Sequence, residues 1–284
     1  MGRILVGTCN WSDHTDFYPP GLKPGDRLAF YARRFSLVEV DSTFYRIPPA
    51  AYFARWAAST PESFAFNVKA YRELTWHDRE KPPEAATFEA FGRTLQPLRD
   101  AGKLRCVHFQ FPPWYRRTAE NRDYILTARE FFPSDTFGVE FRHRSWLDSD
   151  SRDETLGFLR ENEIVHTVVD EPQIGSGSVP TVVAVTNPAL AIVRFHGRNR
   201  ATWYRKGETS GDRFNYLYSR EELQGWLPSL RDLAASSAEV HVLMNNNHAN
   251  YAVVNAQDFV DLLGLPPVVG GGPELIEKEQ PRLF

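Results

Sequence analysis

Cysteine is nearly missing from this sequence. Cys9 and Cys106 are the only two among 284 residues, and they stand far apart. That excludes a disulfide framework and the paired spacing of a zinc knuckle, and it suits a reducing compartment. No run of about 20 apolar residues is present, so no helix is expected to span a bilayer. The opening MGRILVGTCNWSD has a short apolar run and no small-residue cleavage site, so a cytoplasmic location is expected over export. Neither sign of charge dominates. The net charge of -3 offers no global basic field for nucleic acid or anionic membrane. Also missing is a Gly-rich phosphate fingerprint after any strand, which argues against an open dinucleotide-binding sheet. No HxH or HExxH pair occurs, so any divalent metal would need ligands from separate strands.

What is present is an alternation. RILVGTC, SLVEVDSTFY, FAFNVKA, LRCVHFQF, TFGVEFR, IVHTVVD, LAIVRFHG and EVHVLMNN read as strands rich in β-branched and aromatic residues. Amphipathic helical stretches follow most of them. Asp26 is expected to cap the first, Gly102 to end the third, and the capping boxes Ser151-x-x-Glu154 and Ser219-x-x-Glu222 to open two others. Eight such units in this length predict an α/β fold, a (β/α)8 TIM barrel over residues 1–264, with 265–284 as a surface tail of the same single domain. The sixth unit is irregular: after Asp170 the chain offers Gly, Ser and Pro where a helix would stand.

The strands share a second pattern. Polar residues alternate with the apolar ones near each C-terminal end: Glu39 and Asp41, Lys69, His108 and Gln110, Glu140 and Arg142, Asp170, Arg194 and His196, then Asn245, Asn246 and Asn247. Helix-facing positions of a barrel must be apolar, so this set is expected to face the axis at the mouth, where barrel enzymes place their sites. Buried ions must pair or bind a ligand. Glu39, Lys69, Glu140, Asp170 and His196 are the expected catalytic groups, as general bases, acids or electrophile. A purely structural Glu–Arg network is the competing reading.

The loop after the seventh strand adds Arg198, Arg200, Arg205, Lys206 and Arg213 against Glu208 and Asp212, with Trp203, Tyr204, Phe214, Tyr216 and Tyr218 among or just beyond them. Basic groups beside aromatics suit a phosphate-bearing ligand or a nucleic-acid strand. The expectation is an anion site between Arg194, His196 and the loop carrying Arg198, Arg200, Trp203 and Tyr204, in which Arg194→Ala weakens binding and spares stability; Asn199 of the same loop is a further expected ligand contact. His77, Trp114, Tyr115 and His248 stand on neighbouring loops. Cys9 reads as an inert buried thiol.

VEVDSTFYRIP, VKAYRELTWH, QFPPW, VEFRHRSW, VVDEP, VRFHGRN…TWY and NNNHANYAVVNA, in this order, resemble the YecE-like family, a domain of unknown function. The resemblance implies a TIM barrel and no established activity. It singles out Glu39, Thr43, Phe44, Tyr45, Lys69, Gln110, Glu140, Arg142, Trp146, Asp170, Arg194, His196, Gly197, Asn199 and the asparagine run. Asp41 departs from the family's more usual Asn, and LTWH carries an extra residue before His77. The leading expectation is hydrolysis of a phosphoester or nucleic acid, metal-assisted if a divalent ion binds; the alternatives are metal-free proton transfer on a sugar phosphate, with Glu140 or Glu39 as base and Lys69 as electrophile, and binding of a nucleotide or nucleic acid without catalysis.

Overall fold

The structure, a computed structural model, describes residues 1–203 and 213–268. Its strands are β1 (Arg3–Cys9), β2 (Leu37–Val40), β3 (Ala65–Lys69), β4 (Leu104–Gln110), β5 (Phe137–Glu140), β6 (Val165–Asp170), β7 (Leu190–Phe195) and β8 (Glu239–Met244). They pair in sequence order, all parallel, and β8 closes on β1. The predicted TIM barrel is the observed fold. Its helices are α1 (Arg27–Tyr31), α2 (Ala50–Ala58), α3 (Ala85–Thr94), α4 (Gln96–Asp100), α5 (Ala119–Glu130), α6 (Arg152–Glu161), α7 (Arg220–Ser236) and α8 (Tyr251–Leu263).

Parity explains why these strands make a barrel. One face of each strand is apolar along its length: Val38 and Val40, Phe66 and Val68, Val107 and Phe109, Val240 and Val242. That face buries against Phe53, Phe88, Phe91, Ile125, Leu230 and Phe259 of the surrounding helices. The other face fills the barrel with a smaller cluster that includes Leu5, Cys9, Leu37, Ala65, Cys106, Ile192 and Leu243. Space there is tight. A Cβ on Gly138 would come within 2.8 Å of the Cys106 sulfur and 3.6 Å of the His108 ring. Glycine on β5 therefore leaves room for the Cys106 sulfur. A polar line also threads the interior, from Arg3 through Glu239 to His241 and on to Asn67.

Local expectations fared unevenly. Between β6 and β7 the described chain forms only the 3-10 turn Gly175–Gly177, as the composition implied. Gly102 takes a left-handed φ of 64° just beyond α4. Asp26 precedes α1 without capping it. Ser151 is no capping box either. Its hydroxyl bonds the Ser145 carbonyl and the Asp148 carboxylate, each at 2.8 Å, because the preceding turn offers nearer acceptors than the helix offers donors. Ser219 does form its box with Glu222. Ser219→Ala is expected to cost about 1 kcal/mol, read from the midpoint of urea unfolding. Tail residues beyond 268 lie outside the described residues. No described helix is long and apolar enough to cross a membrane.

Candidate active site at the barrel mouth

The inward parity delivers its charges to one layer near the C-terminal ends of the strands. Arg194 on β7 is fully buried and spans the barrel. One terminal nitrogen reaches Glu140 Oε2 at 2.6 Å and the other reaches Glu39 Oε1 at 2.6 Å. Glu140 Oε1 also accepts from Arg142 Nε. Arg142 continues to Glu171 Oε2 at 2.9 Å and to His196 Nε2 at 2.9 Å. His108 bridges Glu39 at 2.8 Å and Thr167 at 3.0 Å. Asn245 Nδ2 meets His196 Nδ1 at 2.7 Å. The Glu140 carboxylate at the end of β5 and the Arg142 guanidinium just beyond it thus belong to a continuous buried ion network.

The network sets its own protonation. Burial alone would raise the Glu39 carboxyl, but Arg194 and then His108 outweigh it and hold it well below the usual range. Burial is likewise outweighed at Glu140, by Arg142 and Arg194. Burial, joined by Arg142, drives His196 well below its ordinary value, so the imidazole is neutral. Glu171, with one guanidinium shared with Glu140, is pushed up to about 7 by burial.

Asp170 is a correction. It was expected inside, yet its carboxylate points to the helix side. Arg198 donates to it at 2.8 and 2.5 Å, Tyr218 at 2.9 Å and Trp226 of α7 at 3.1 Å. Those four bonds tie the end of β6 to the β7 loop and to α7. Asp170→Ala is expected to cost about 2–3 kcal/mol, since three buried or half-buried donors lose one acceptor. A thermal melt measures this, and a variant as stable as the parent would return Asp170 to the list of functional groups.

The anion site expected around β7 is also not formed as drawn. Arg194 has no exposed surface and both its arms are engaged. Arg198 is held by Asp170 and by Glu222 at 3.1 Å. Asn199 braces its own loop through the Asn215 carbonyl and the Ala201 amide. Asn246 braces Tyr216 and Asn255. Trp203 is buried, with Arg213 4.5 Å and Arg142 5.9 Å over its ring. Gly197 turns the chain here with φ 86°, and a Cβ would strike Tyr216 at 2.7 Å. Tyr204, Arg205, Lys206, Glu208 and Asp212 lie outside the described residues, as does any contact they make.

On the other side of the mouth, above β2, β3 and β4, the side chains are partly exposed. Lys69 and Asp41 face each other loosely there, Nζ to Oδ1 at 3.9 Å, with 12% and 21% of their side chains exposed. Gln110 is half-buried beside them, 3.4 Å from Arg194. The Lys69 ammonium lies 4.9 Å over the Phe44 ring, and Tyr45 stands exposed at the rim. The Thr43 hydroxyl lies 2.8 Å from the Val40 carbonyl and 2.6 Å from that of Lys69. It pins the β2 exit to the β3 exit. Burial pushes Asp41 up to about 6 against the pull of Lys69, and the Glu39 charge adds to the rise.

A metal fits this layer poorly. Cys9, Glu39 and Asp41 bring ligand atoms within 4.8 Å of one another, the one such trio among the described residues. Arg194 already places a fixed positive charge among them, 2.6 Å from Glu39, 3.3 Å from the Cys9 sulfur and 3.8 Å from Asp41. Burial raises the Cys9 thiol well above its ordinary value despite that arginine. A thiol that stays protonated is no ligand.

Sequence reasoning missed Glu171, Thr167 and the His241–Asn67 line. Two depressions lie away from the ion network. One, of about 400 Å³, opens at the opposite end of the barrel around Met1, Pro188 and Ser237. The other, of about 380 Å³, lies outside the mouth between Tyr45, Tyr71 and Ala90. The first offers no charged side chain, so the chemistry stays with the mouth.

Residues 5–277 match the family model described as "Protein of unknown function DUF72". The chain is 38% identical over 268 residues to UPF0759 protein YunF of Bacillus subtilis, covering 92% of this chain and 95% of that protein. A DUF72 family protein from Enterococcus faecalis superposes with a TM-score of 0.86 at 30% identity, covering 98% of this chain and 99% of the other. One from Thermotoga maritima gives 0.82 at 34% identity, covering 92% and 99%.

Proposed function

The chain belongs to the DUF72 family, and from that premise we propose that its barrel mouth performs metal-independent proton transfer on a small anionic carbonyl compound, a sugar phosphate among them. Asp41 moves the proton, and Lys69 holds and polarises the substrate. The observation that carries this reading is the contrast between two pairs. Arg194 is locked between Glu39 and Glu140 out of solvent, whereas Asp41 and Lys69 stand apart at 3.9 Å and are partly exposed.

Each role follows from that contrast. A general base works best with a pKa near the working pH. Asp41 at about 6 meets the requirement. Glu39 and Glu140, the bases favoured by sequence, are held too acidic and too tightly paired to accept a proton. In the step proposed, the C–H bond next to the carbonyl breaks and its proton goes to Asp41. The electron pair moves to the carbonyl oxygen, where the Lys69 ammonium stabilises the enolate. The buried network beneath fixes Asp41 and Lys69 in place and keeps the floor rigid.

Metal-assisted phosphoester hydrolysis is less well supported, because Arg194 occupies the middle of the donor set. Nucleic-acid binding through the β7 loop is weakened by the commitment of Arg198 to Asp170. The test is deuterium uptake. Sugar phosphates and keto acids are incubated with the protein in heavy water and followed by mass spectrometry. Exchange at the carbon beside the carbonyl is the expected result. Its absence from every carbonyl compound the protein binds overturns the proposal.

A further inference from the structure

The loop after β3 makes an unusual turn at LTWH. Trp76 takes a left-handed conformation, φ 57° and ψ 28°, at the end of the 3-10 turn Arg72–Thr75. A bulky residue rarely adopts it, at a cost of about 1–2 kcal/mol. The turn directs the Trp76 carbonyl at the indole of Trp114 on the loop after β4, which donates to it at 3.2 Å. It also sets His77 between two rings, 4.7 Å from Phe44 and 6.0 Å from Trp114, edge-on to both. The His77 amide and a ring nitrogen are held by the Arg72 carbonyl at 3.2 Å and the Thr75 hydroxyl at 2.8 Å. Three loops therefore build one aromatic rim beside Lys69.

That rim is exposed at Trp114, half-buried at Phe44 and His77, and basic. Trp114 keeps 41% of its surface open. Its ring already accepts one flat group, the Arg79 guanidinium at 4.3 Å. Lys69 lies over Phe44. Burial first, and then Lys69, Arg72 and Arg142, push His77 down to about 3, so it stays neutral. Asp78 is on the same loop, and its carboxylate accepts from the Glu80 amide.

We infer that Phe44, His77 and Trp114, with Lys69 and Arg72, form a subsite for the planar ring of an anionic ligand. The ring, aryl or nucleobase, lies on Trp114, and its acidic group reaches toward Lys69. Aromatic faces exposed in this way accept flat rings, and nearby cations take the anion. This places the ring end of the substrate whose reacting end sits at Asp41, and to that extent it rests on the proton-transfer reading. The subsite itself is measured without turnover.

Adenosine monophosphate, benzoate and ribose phosphate are titrated against wild type, Trp114→Ala and Asp41→Asn, using tryptophan fluorescence and ligand-observed NMR. At least one ring anion is expected to bind wild type about ten-fold or more tighter than ribose phosphate. Trp114→Ala is expected to abolish that preference with an unchanged melting temperature. Relative affinity for adenosine monophosphate and benzoate tells base from aryl. Asp41→Asn is expected to keep ring binding whether or not wild type exchanges deuterium, which separates the two proposals. Unchanged ring binding in Trp114→Ala, ribose phosphate binding as tightly as both ring anions, or no binding of any probe to wild type overturns the inference. If Trp114→Ala fails to fold, Trp114→Phe, which keeps a ring, is expected to retain the preference, and its loss there also counts against the subsite.

Discussion

Arg194→Met is expected to remove about 4 kcal/mol of stability at neutral pH, within the usual cost of breaking a buried ion pair from one side. The guanidinium spans Glu39 and Glu140, at 2.6 Å from each. Without it Glu140 keeps Arg142, but Glu39 keeps only His108 as a close partner. Arg194→Lys should recover less than half of the loss, because one ammonium cannot bridge two carboxylates on opposite strands. The sign of the pH dependence follows. In the parent, both carboxyls are held below their unfolded values, so they stabilise the fold above about pH 4.5 and lose that contribution as pH falls through their folded values. In the variant burial prevails at Glu39, whose folded value then lies above the unfolded one. Its contribution survives at low pH and is lost as pH rises. The gap between parent and variant should therefore be wide at pH 7 and narrow toward pH 4, as measured by urea unfolding. An Arg194→Met protein as stable as the parent would mean the arginine is available to a ligand, as the sequence pattern alone suggested.

The difference between those two readings of Arg194 shows where legibility ended. The barrel was readable because alternation carries one bit per residue, and eight strands repeat it. Glu39, Lys69, Gln110, Glu140, Arg142, Arg194 and His196 reach the mouth on that signal alone. At β6 the bit was ambiguous. Val165, Thr167 and Val169 alternate with His166, Val168 and Asp170, and each parity has one polar residue before the strand end. Thr167 is the inward one, since it bonds His108 inside the barrel, which turns Asp170 outward and brings Glu171 to Arg142. The signal was present in VVDEP as a second carboxylate of opposite parity. Pairing was the other blind spot. Residue type tells that Arg198 is basic, but only the fold shows α7 placing Trp226 and Glu222 where Asp170 and Arg198 close on them. An aromatic platform was expected after β7; the rim of Phe44, His77 and Trp114 stands on the loops after β2, β3 and β4, where the left-handed turn at Trp76 has no glycine or asparagine to announce it.

Asp41→Asn separates a working carboxylate from a structural one by moving activity and stability in opposite directions. Asp41 is raised above its unfolded value of 3.8 to about 6. Its contribution to stability is therefore full below pH 3.8 and is lost as pH rises through about 6. An amide never ionises, so the variant should be more stable than the parent at pH 8. The 21% exposure of the side chain and the nearby ammonium limit that gain to about 1 kcal/mol. Activity should go the other way. Parent exchange of deuterium should rise with pH from 5 to 7 as Asp41 becomes the base, then level off. Asn cannot take the proton, and a loss of about 10²–10⁴-fold is expected. Stability gained where catalysis is lost is the usual signature of a group kept for its chemistry. Were Asp41 only the partner of Lys69, removing its charge would instead leave an ammonium without its carboxylate and lower the melting temperature at pH 8. Melting curves and exchange rates on the same two proteins across pH 5–8 decide between these roles.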